Sequence, residues 1–400
     1  GVPVTQSVEL WLEAPWPKPR PRPAAAPVIV SVGNEMRDLP KIGIEICPGD
    51  IDAGEPARNA LRAMSPALLH LSLDSDGHSI AWEKVKELLT IAHARLRLDV
   101  ALSVETETVG VIESLHAALA KASIVPESLA IFPSERRHID VARAFFPESW
   151  IGGGTPYFFV QLNRLENIGG VDFLTFTTSS IVHGADDETI MGGLQSLPSM
   201  IQTLRARYPG LPVRVGPSGI ATRRSPLGRH AETDGTRRIA LARNDPRCRG
   251  LYGAGWLLGY VAQLLAAGVD AISAMSLTGP SGLVAPAQGS GLTRYPASFV
   301  LERLRPPARL CTVSVSDPLQ VAAVALARKG MRELLVANLT GHAIDLDLEC
   351  SRKAGRASVV DSVGWDCFAS RSDASTTPWH PLASPWRLEP YAFAAFEFPA

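Results

Sequence analysis

The sequence predicts an α/β protein: a (β/α)8 TIM-type barrel followed by a small antiparallel β-sandwich domain. Three observations carry that prediction. Between Lys41 and about Val300, short β-branched runs alternate with longer amphipathic runs, the rhythm of βα units around a parallel sheet. Eight of these β runs occur in series, the strand count of a closed barrel. Beyond about residue 306 the text changes to alternating strands separated by turn residues, with no long helix.

In chain order, "SVELWLEAPW" reads as a strand, and residues 1–14 are expected to join the C-terminal sheet. Residues 15–38 read as a proline-rich linker, because "PWPKPRPRPAAAP" supports neither helix nor central strand. The barrel is expected over residues 39–305. Its strands are "KIGIEIC", "ALLHLSLD", "RLRLDVALSV", "SLAIFPS", "SWIGGG", "VDFLTFTTSS", "LPVRVGPS" and "DAISAMSLTG". Helices such as "AWEKVKELLTIAHA" and "DETIMGGLQSLPSMIQTLRARY" carry Leu and Ile near the 3.6-residue period. The competing architecture, an open doubly wound sheet, would place a G-x-G-x-x-G turn after the first strand, and "CPGDIDAGE" lacks it. Residues 306–400 then form the sandwich.

Composition excludes several classes of function. With 400 residues, 46% of them hydrophobic, the chain has enough apolar material for a large core. Lys plus Arg is 39 and Asp plus Glu is 40, and the net charge of -1 provides no field to recruit nucleic acid or an acidic membrane. No apolar run approaches the roughly 20 residues of a membrane span, and the first residues lack a signal-peptide pattern. The start at Gly1 leaves room for an upstream domain or a removed leader. Five widely spaced cysteines without Cys-x-x-Cys indicate neither a disulfide framework nor a zinc cage, so a reducing, cytoplasmic setting is expected.

Barrel enzymes place their reactive groups at the C-terminal ends of the strands. That rule selects Glu135 after the fourth strand, Thr155, Tyr157, Gln161 and Asn163 after the fifth, His183, Asp186 and Asp187 after the sixth, and Ser218, Arg223 and Arg224 after the seventh. His183 could act as a general base oriented by Asp187, whereas "ADDET" is equally the N-cap and acidic first turn of a helix. Glu135 reads as an acid or base, or as part of a charged loop. The triple glycine Gly152–Gly154 permits close backbone approach, to a ligand or to a neighbouring strand. The loop from Ala221 to Gly250 carries eight arginines. It reads as an anion-binding lid or as a solvated, internally paired loop. Its "HAETD" segment is a weak metal signal. The seventh strand ends without Glu or Asp, which counts against a retaining glycosidase. No G-x-S-x-G elbow is present.

In order and spacing, "IGGGT", "QLNR", "DFLTFTTSSIVHGADD", "VGPSGIATRRSP" and "DPRCRGLYGAGWLLGYVAQLLAAGVDAISAMSLTG" resemble the central region of the D-apionate lactonase family. The resemblance implies an N-terminal β domain, here reduced to its last strand, then a barrel, a C-terminal β domain and hydrolysis of a branched sugar-acid lactone. It also implies that Gly152–Thr155, Asn163, Arg164, His183, Asp187, Arg223, Pro226, Asp245, Arg247 and Trp256 follow the family pattern. The chain departs from that pattern at His70, Ser72, Gln161, Ser276 and Leu277.

The leading expectation is therefore a hydrolase acting on a sugar or sugar-acid lactone. His183, Asp187 and Glu135 would be catalytic, and Thr155, Tyr157, Asn163, Arg223 and Arg247 would bind substrate. No cofactor and no metal ligands are assigned, although a divalent metal is compatible with the residue types. A glycoside hydrolase pairing Glu135 with Glu45 or Asp74 is the first alternative. A silent carbohydrate-binding protein using Trp365, Trp379 and Trp386 is the second. The oligomeric state is not legible.

Overall fold

The computed structural model describes residues 11, 26–52, 54–74, 80–103, 107–166, 168–228, 230–285, 294–348, 355–364, 379–382 and 386–400. The expected strand in residues 1–14 lies outside them, apart from an exposed Trp11.

Eight parallel strands close into a barrel in sequence order. They are β2 (Lys41–Glu45), β3 (Leu68–Asp74), β4 (Arg95–Ala101), β5 (Ser128–Phe132), β6 (Trp150–Phe158), β7 (Phe173–Thr177), β8 (Val213–Ser218) and β9 (Ala271–Ser276). The pairing of β9 with β2, Lys41 opposite Ala271 and Gly43 opposite Ser273, closes the ring. Around it run α1 (Glu55–Met64), α2 (Trp82–Ala92), α3 (Thr108–Lys121), α4 (Arg136–Phe145), α5 (Phe159–Asn163), α6 (Asp187–Gly193), α7 (Leu197–Arg207), α8 (Leu251–Ala267) and α9 (Pro296–Arg303). Strand residues such as Ile42, Ile44, Leu69, Leu98, Ile131 and Val215 point outward and join the main core with the helices. α8 is apolar nearly all round because it is covered on one side by the barrel and on another by strands of the second domain.

One boundary needs correction. Residues 15–38 are not linker throughout: Val28–Asp38 forms strand β1. The proline-rich run stops at Pro27, and "VIVSV" then alternates β-branched residues in the strand pattern. β1 pairs antiparallel with β10 (Arg309–Val315) and parallel with β13 (Ile344–Leu348), so this stretch belongs to the C-terminal sheet. That sheet is completed by β11 (Val321–Arg328), β12 (Met331–Asn338), β14 (Arg356–Val360), β15 (His380–Pro381), β16 (Trp386–Leu388) and β17 (Phe393–Pro399). The strand order is β15-β14-β17-β12-β11-β10-β1-β13-β16. Trp386 of β16 meets Phe396 of β17 edge to face at 5.2 Å between ring centroids, although six places separate these strands in the order. The sheet therefore curls over its own core of Val30, Leu334, Leu346 and Phe396, giving a sandwich.

The barrel interior is polar where this fold ordinarily stacks branched apolar residues. Alternation along the strands turns His70, Arg97, Asp99, Thr175 and Arg214 inward, all buried. Glycines let other strand residues approach closely. A Cβ on Gly152 would overlap the Phe173 ring, and one on Gly216 would meet the Ser273 backbone. At the N-terminal end Arg214 grips Glu127 with two bonds of 2.8 and 3.0 Å, and Lys41 pairs with the same carboxylate.

Candidate active site

At the C-terminal mouth, Glu45 ends β2 and stands in register with His70 on one side and Ser276 on the other. Only 4% of Glu45 is exposed. Arg223, in the loop after β8, pairs with the Glu45 carboxylate and donates to the Ser276 hydroxyl at 3.2 Å. The Cys47 thiol donates to Glu45 at 3.7 Å. Burial, reinforced by Asp50, pushes that thiol up to about 11, so Cys47 is a protonated donor near neutrality and not a thiolate nucleophile. Asp50 accepts the Cys47 backbone N–H at 2.7 Å and the Thr278 hydroxyl, which braces the turn that follows β2.

Below Glu45, His70 Nε2 lies 3.1 Å from Asp99, whose other oxygen is 3.4 Å from Arg97. Burial and then Arg97 lower the His70 pKa, which keeps its imidazole neutral. Burial opposes ionisation of Asp99, but His70 and Arg97 outweigh it and hold the carboxyl below its usual range. Arg97 also reaches Thr175 Oγ1 at 2.6 Å and the Gly216 carbonyl at 3.3 Å. His70 and Ser276 thus sit on either side of Glu45.

The structure separates the other expected site residues. Arg223 is in the mouth. Thr155 is buried on β6 and accepts the Tyr157 backbone N–H at 3.3 Å, while the Tyr157 carbonyl accepts the Thr177 hydroxyl at 3.0 Å, so both hold the rim through local bonds. Gly154 takes φ +137, and a Cβ there would strike the Thr175 carbonyl; the glycine run serves tight strand packing. Asn163 is exposed at the end of α5, with its side chain 3.4 Å from Arg207 of α7. Glu135 is half exposed and pairs with Arg137 at 2.8 Å, the charged-loop reading. It is the residue just before α4.

The expected His183–Asp187 couple does not form. Asp187 begins α6, and its carboxylate is taken by Arg247 at 2.9 Å and Arg238 at 3.0 Å. Asp186 is the N-cap, accepting the Thr189 N–H at 2.8 Å. Arg247 is not a free anion hook either. It binds both oxygens of Asp245 at 2.9 and 2.6 Å and the Ala185 carbonyl at 2.9 Å. Tyr252 donates to the Asp187 carbonyl at 2.8 Å, and Trp256 Nε1 to Ser180 at 2.9 Å. The "DPRCRGLYGAGW" motif therefore clamps the loop between β7 and α6 onto α8. His183 is exposed at the rim of a pocket of about 590 Å³ bounded by α5, α7 and this loop.

The carboxylates of the glycosidase reading are each met by an arginine: Glu45 by Arg223, Asp74 by Arg224 at 2.8 Å, and Glu135 by Arg137. Trp379 lies between Arg303 and Arg356 at 4.9 and 4.4 Å, and Trp386 packs on Phe396, so neither offers an open stacking face; Trp365 lies outside the described residues. Among the described residues no group of three His, Cys, Asp or Glu side chains is placed to hold a metal, and no helix is long and apolar enough to cross a membrane.

A (β/α)8 barrel joined to a β-sandwich defines the class. Solved structures share it across nearly the whole chain. A family 51 α-L-arabinofuranosidase from Bifidobacterium longum matches with a TM-score of 0.60 at 10% identity, covering 94% of this chain and all of its own. A GH30 endoxylanase from Clostridium papyrosolvens C71 does so with a TM-score of 0.60 at 12% identity over the same shares. At those identities the likeness concerns the fold alone.

The family is narrower. Residues 42–309 match the model of the D-apionate lactonase TIM barrel domain, and residues 318–396 that of the D-apionate lactonase C-terminal immunoglobulin-like domain. The chain belongs to the D-apionate lactonase family. A D-apionate lactonase of Brucella anthropi is 34% identical over 282 residues, which is 65% of this chain and 46% of that protein. The chain thus spans about half the length of the curated relative it matches.

Proposed function

We propose that this protein hydrolyses the lactone of a sugar acid, with Arg223 and Glu45 at the barrel mouth as the reacting pair. The observation that carries the reading is a buried carboxylate and a guanidinium held together at the strand ends of a D-apionate lactonase barrel. A lactone carbonyl entering the mouth competes with Glu45 for the guanidinium donors. Its oxygen then lies against Arg223 and Ser276, where negative charge develops in the tetrahedral intermediate. The released Glu45 carboxylate takes a proton from water as the water oxygen bonds to the carbonyl carbon. The ring C–O bond then breaks, and the leaving alkoxide takes that proton back from the Glu45 carboxyl. The product is a hydroxy-carboxylate, and its acid proton goes to solvent. Cys47, held protonated by burial, is not a base here, and Glu45 is the carboxylate that meets Arg223 at the strand ends. The free thiols Cys47, Cys248 and Cys311 fit a reducing, cytoplasmic setting.

The test is a pH-indicator assay against aldonolactones including apionolactone, with and without EDTA. Acid release above the spontaneous rate, lowered about 10²- to 10³-fold in kcat/KM by Arg223→Ala, is expected. Full activity in Arg223→Ala would contradict the assignment, and loss of activity in EDTA would add a metal to it.

A further inference from the structure

The pocket bounded by α5, α7 and the loop between β7 and α6 is lined by none of Glu45, Arg223 and Ser276, so it is a site apart from the mouth. At about 590 Å³ it lies within the size range of small-molecule sites. About half of its lining residues are polar, and the others include Phe158, Phe159 and Leu197. Among the described residues no Asp or Glu lines it. A wall of this kind suits a ligand that carries both C–H faces and hydroxyl groups, and it places no like charge against an anion. Three of the polar side chains have no protein partner among the described residues. Gln161 Oε1 is buried, an acceptor that a ligand O–H would satisfy. Arg164 follows three residues later at the end of α5, on the same side of the turn, and its guanidinium is unpaired. Nearby arginines are occupied: Arg207 reaches the carbonyls of Asn163 and Leu165, and Arg238 pairs with Asp187. His183, from the loop, is the third. Ser180 accepts the Trp256 Nε1–H at 2.9 Å and keeps its own O–H to donate.

An acceptor without a donor and a guanidinium without an anion, side by side, call for a ligand that brings both a hydroxyl and a negative charge. We propose that this pocket is a second site, which binds a small polyhydroxy carboxylate of the aldonate type, with its carboxylate on Arg164 and a hydroxyl on Gln161. Guanidinium and carboxylate match in geometry as well as charge. The open acid released by hydrolysis of a sugar-acid lactone belongs to this chemical class, so a product molecule can occupy the pocket while the mouth stays free. Binding here does not depend on the reaction at the mouth.

The experiment is calorimetry on the full chain with D-gluconate, D-sorbitol and hexanoate. Gluconate carries both features, sorbitol lacks the charge and hexanoate lacks the hydroxyls. None of the three is a lactone, so the measurement reads binding whether or not the mouth reacts. Gluconate is expected to bind about tenfold or more tighter than either of the others. Arg164→Met should remove its advantage over sorbitol, and Gln161→Leu should reduce its advantage over hexanoate, whereas Arg223→Lys should leave gluconate binding unchanged. Sorbitol or hexanoate binding as tightly as gluconate, or no gluconate binding, overturns the proposal. Gluconate binding that survives Arg164→Met and is lost in Arg223→Lys overturns it too, because the acid then sits in the mouth.

Discussion

Two arginine clusters lie on the one long connection between β8 and α8 and differ in how completely the protein satisfies them. Arg247 spends its guanidinium on four protein oxygens, those of Asp245, Asp187 and Ala185, and is 4% exposed. Arg223 meets Glu45 and Ser276 and is half-buried at the open end of the strands. A guanidinium saturated by its own chain positions a loop, whereas one paired with a single carboxylate at a strand end can exchange that partner for a ligand. Sequence alone picked out both residues and does not distinguish the two roles.

The largest separation of the clusters is expected in stability. Arg247→Ala leaves the fully buried Asp245 uncompensated and should cost about 3–5 kcal/mol in denaturant unfolding. A loss below about 1 kcal/mol would break the comparison. Next comes the far end of the barrel. Burial raises the Glu127 pKa, but its bonds to Arg214 and Lys41 win and take it from 4.5 down to about 2. The folded-state pKa is depressed, so the stabilisation is present above about pH 4.5 and is lost as pH falls towards 2. It amounts to roughly 3 kcal/mol. Glu127→Gln should flatten the pH dependence of stability across that window; an unchanged acid limb would place the proton uptake elsewhere. The smallest effect is expected at His183, which has no partner among the described residues. His183→Ala should change kcat on an aldonolactone by less than about threefold, well short of the 10²- to 10⁴-fold that general-base catalysis supplies. A loss of that size would return the base to the pocket rim.

Much of the architecture was legible because periodicity survives in the chain. All eight barrel strands coincide with β-branched runs that a reader can mark, since strands buried on both faces are written as continuous apolar text. The site was legible only in part. Strand-end position drew attention to Arg223, which meets Glu45 and Ser276, but it cannot tell which strand-end carboxylate a distant arginine will meet. Glu45 is buried and met by Arg223 from the far loop, whereas Glu135 is exposed and met by its neighbour Arg137. The acidic run at Asp186 and Asp187 illustrates the same ambiguity: the cap reading is correct for Asp186, and Asp187 is spent on two arginines far along the chain. Pairings such as Asp187 with Arg238 and Arg247 join residues 51 and 60 positions apart and leave no local trace. β1 was hidden for a simpler reason, since its β-branched start directly follows a proline-rich run.

The central claim is that the mouth reacts and the clamped loop supports. The most direct test measures kcat/KM on an aldonolactone together with the melting temperature for Glu45→Gln and Asp187→Asn. The account predicts that Glu45→Gln stays folded at the assay temperature and loses at least about 10²-fold in kcat/KM, while Asp187→Asn melts earlier and keeps turnover within a few-fold. The reverse pattern, activity lost with Asp187 and kept without Glu45, would contradict it.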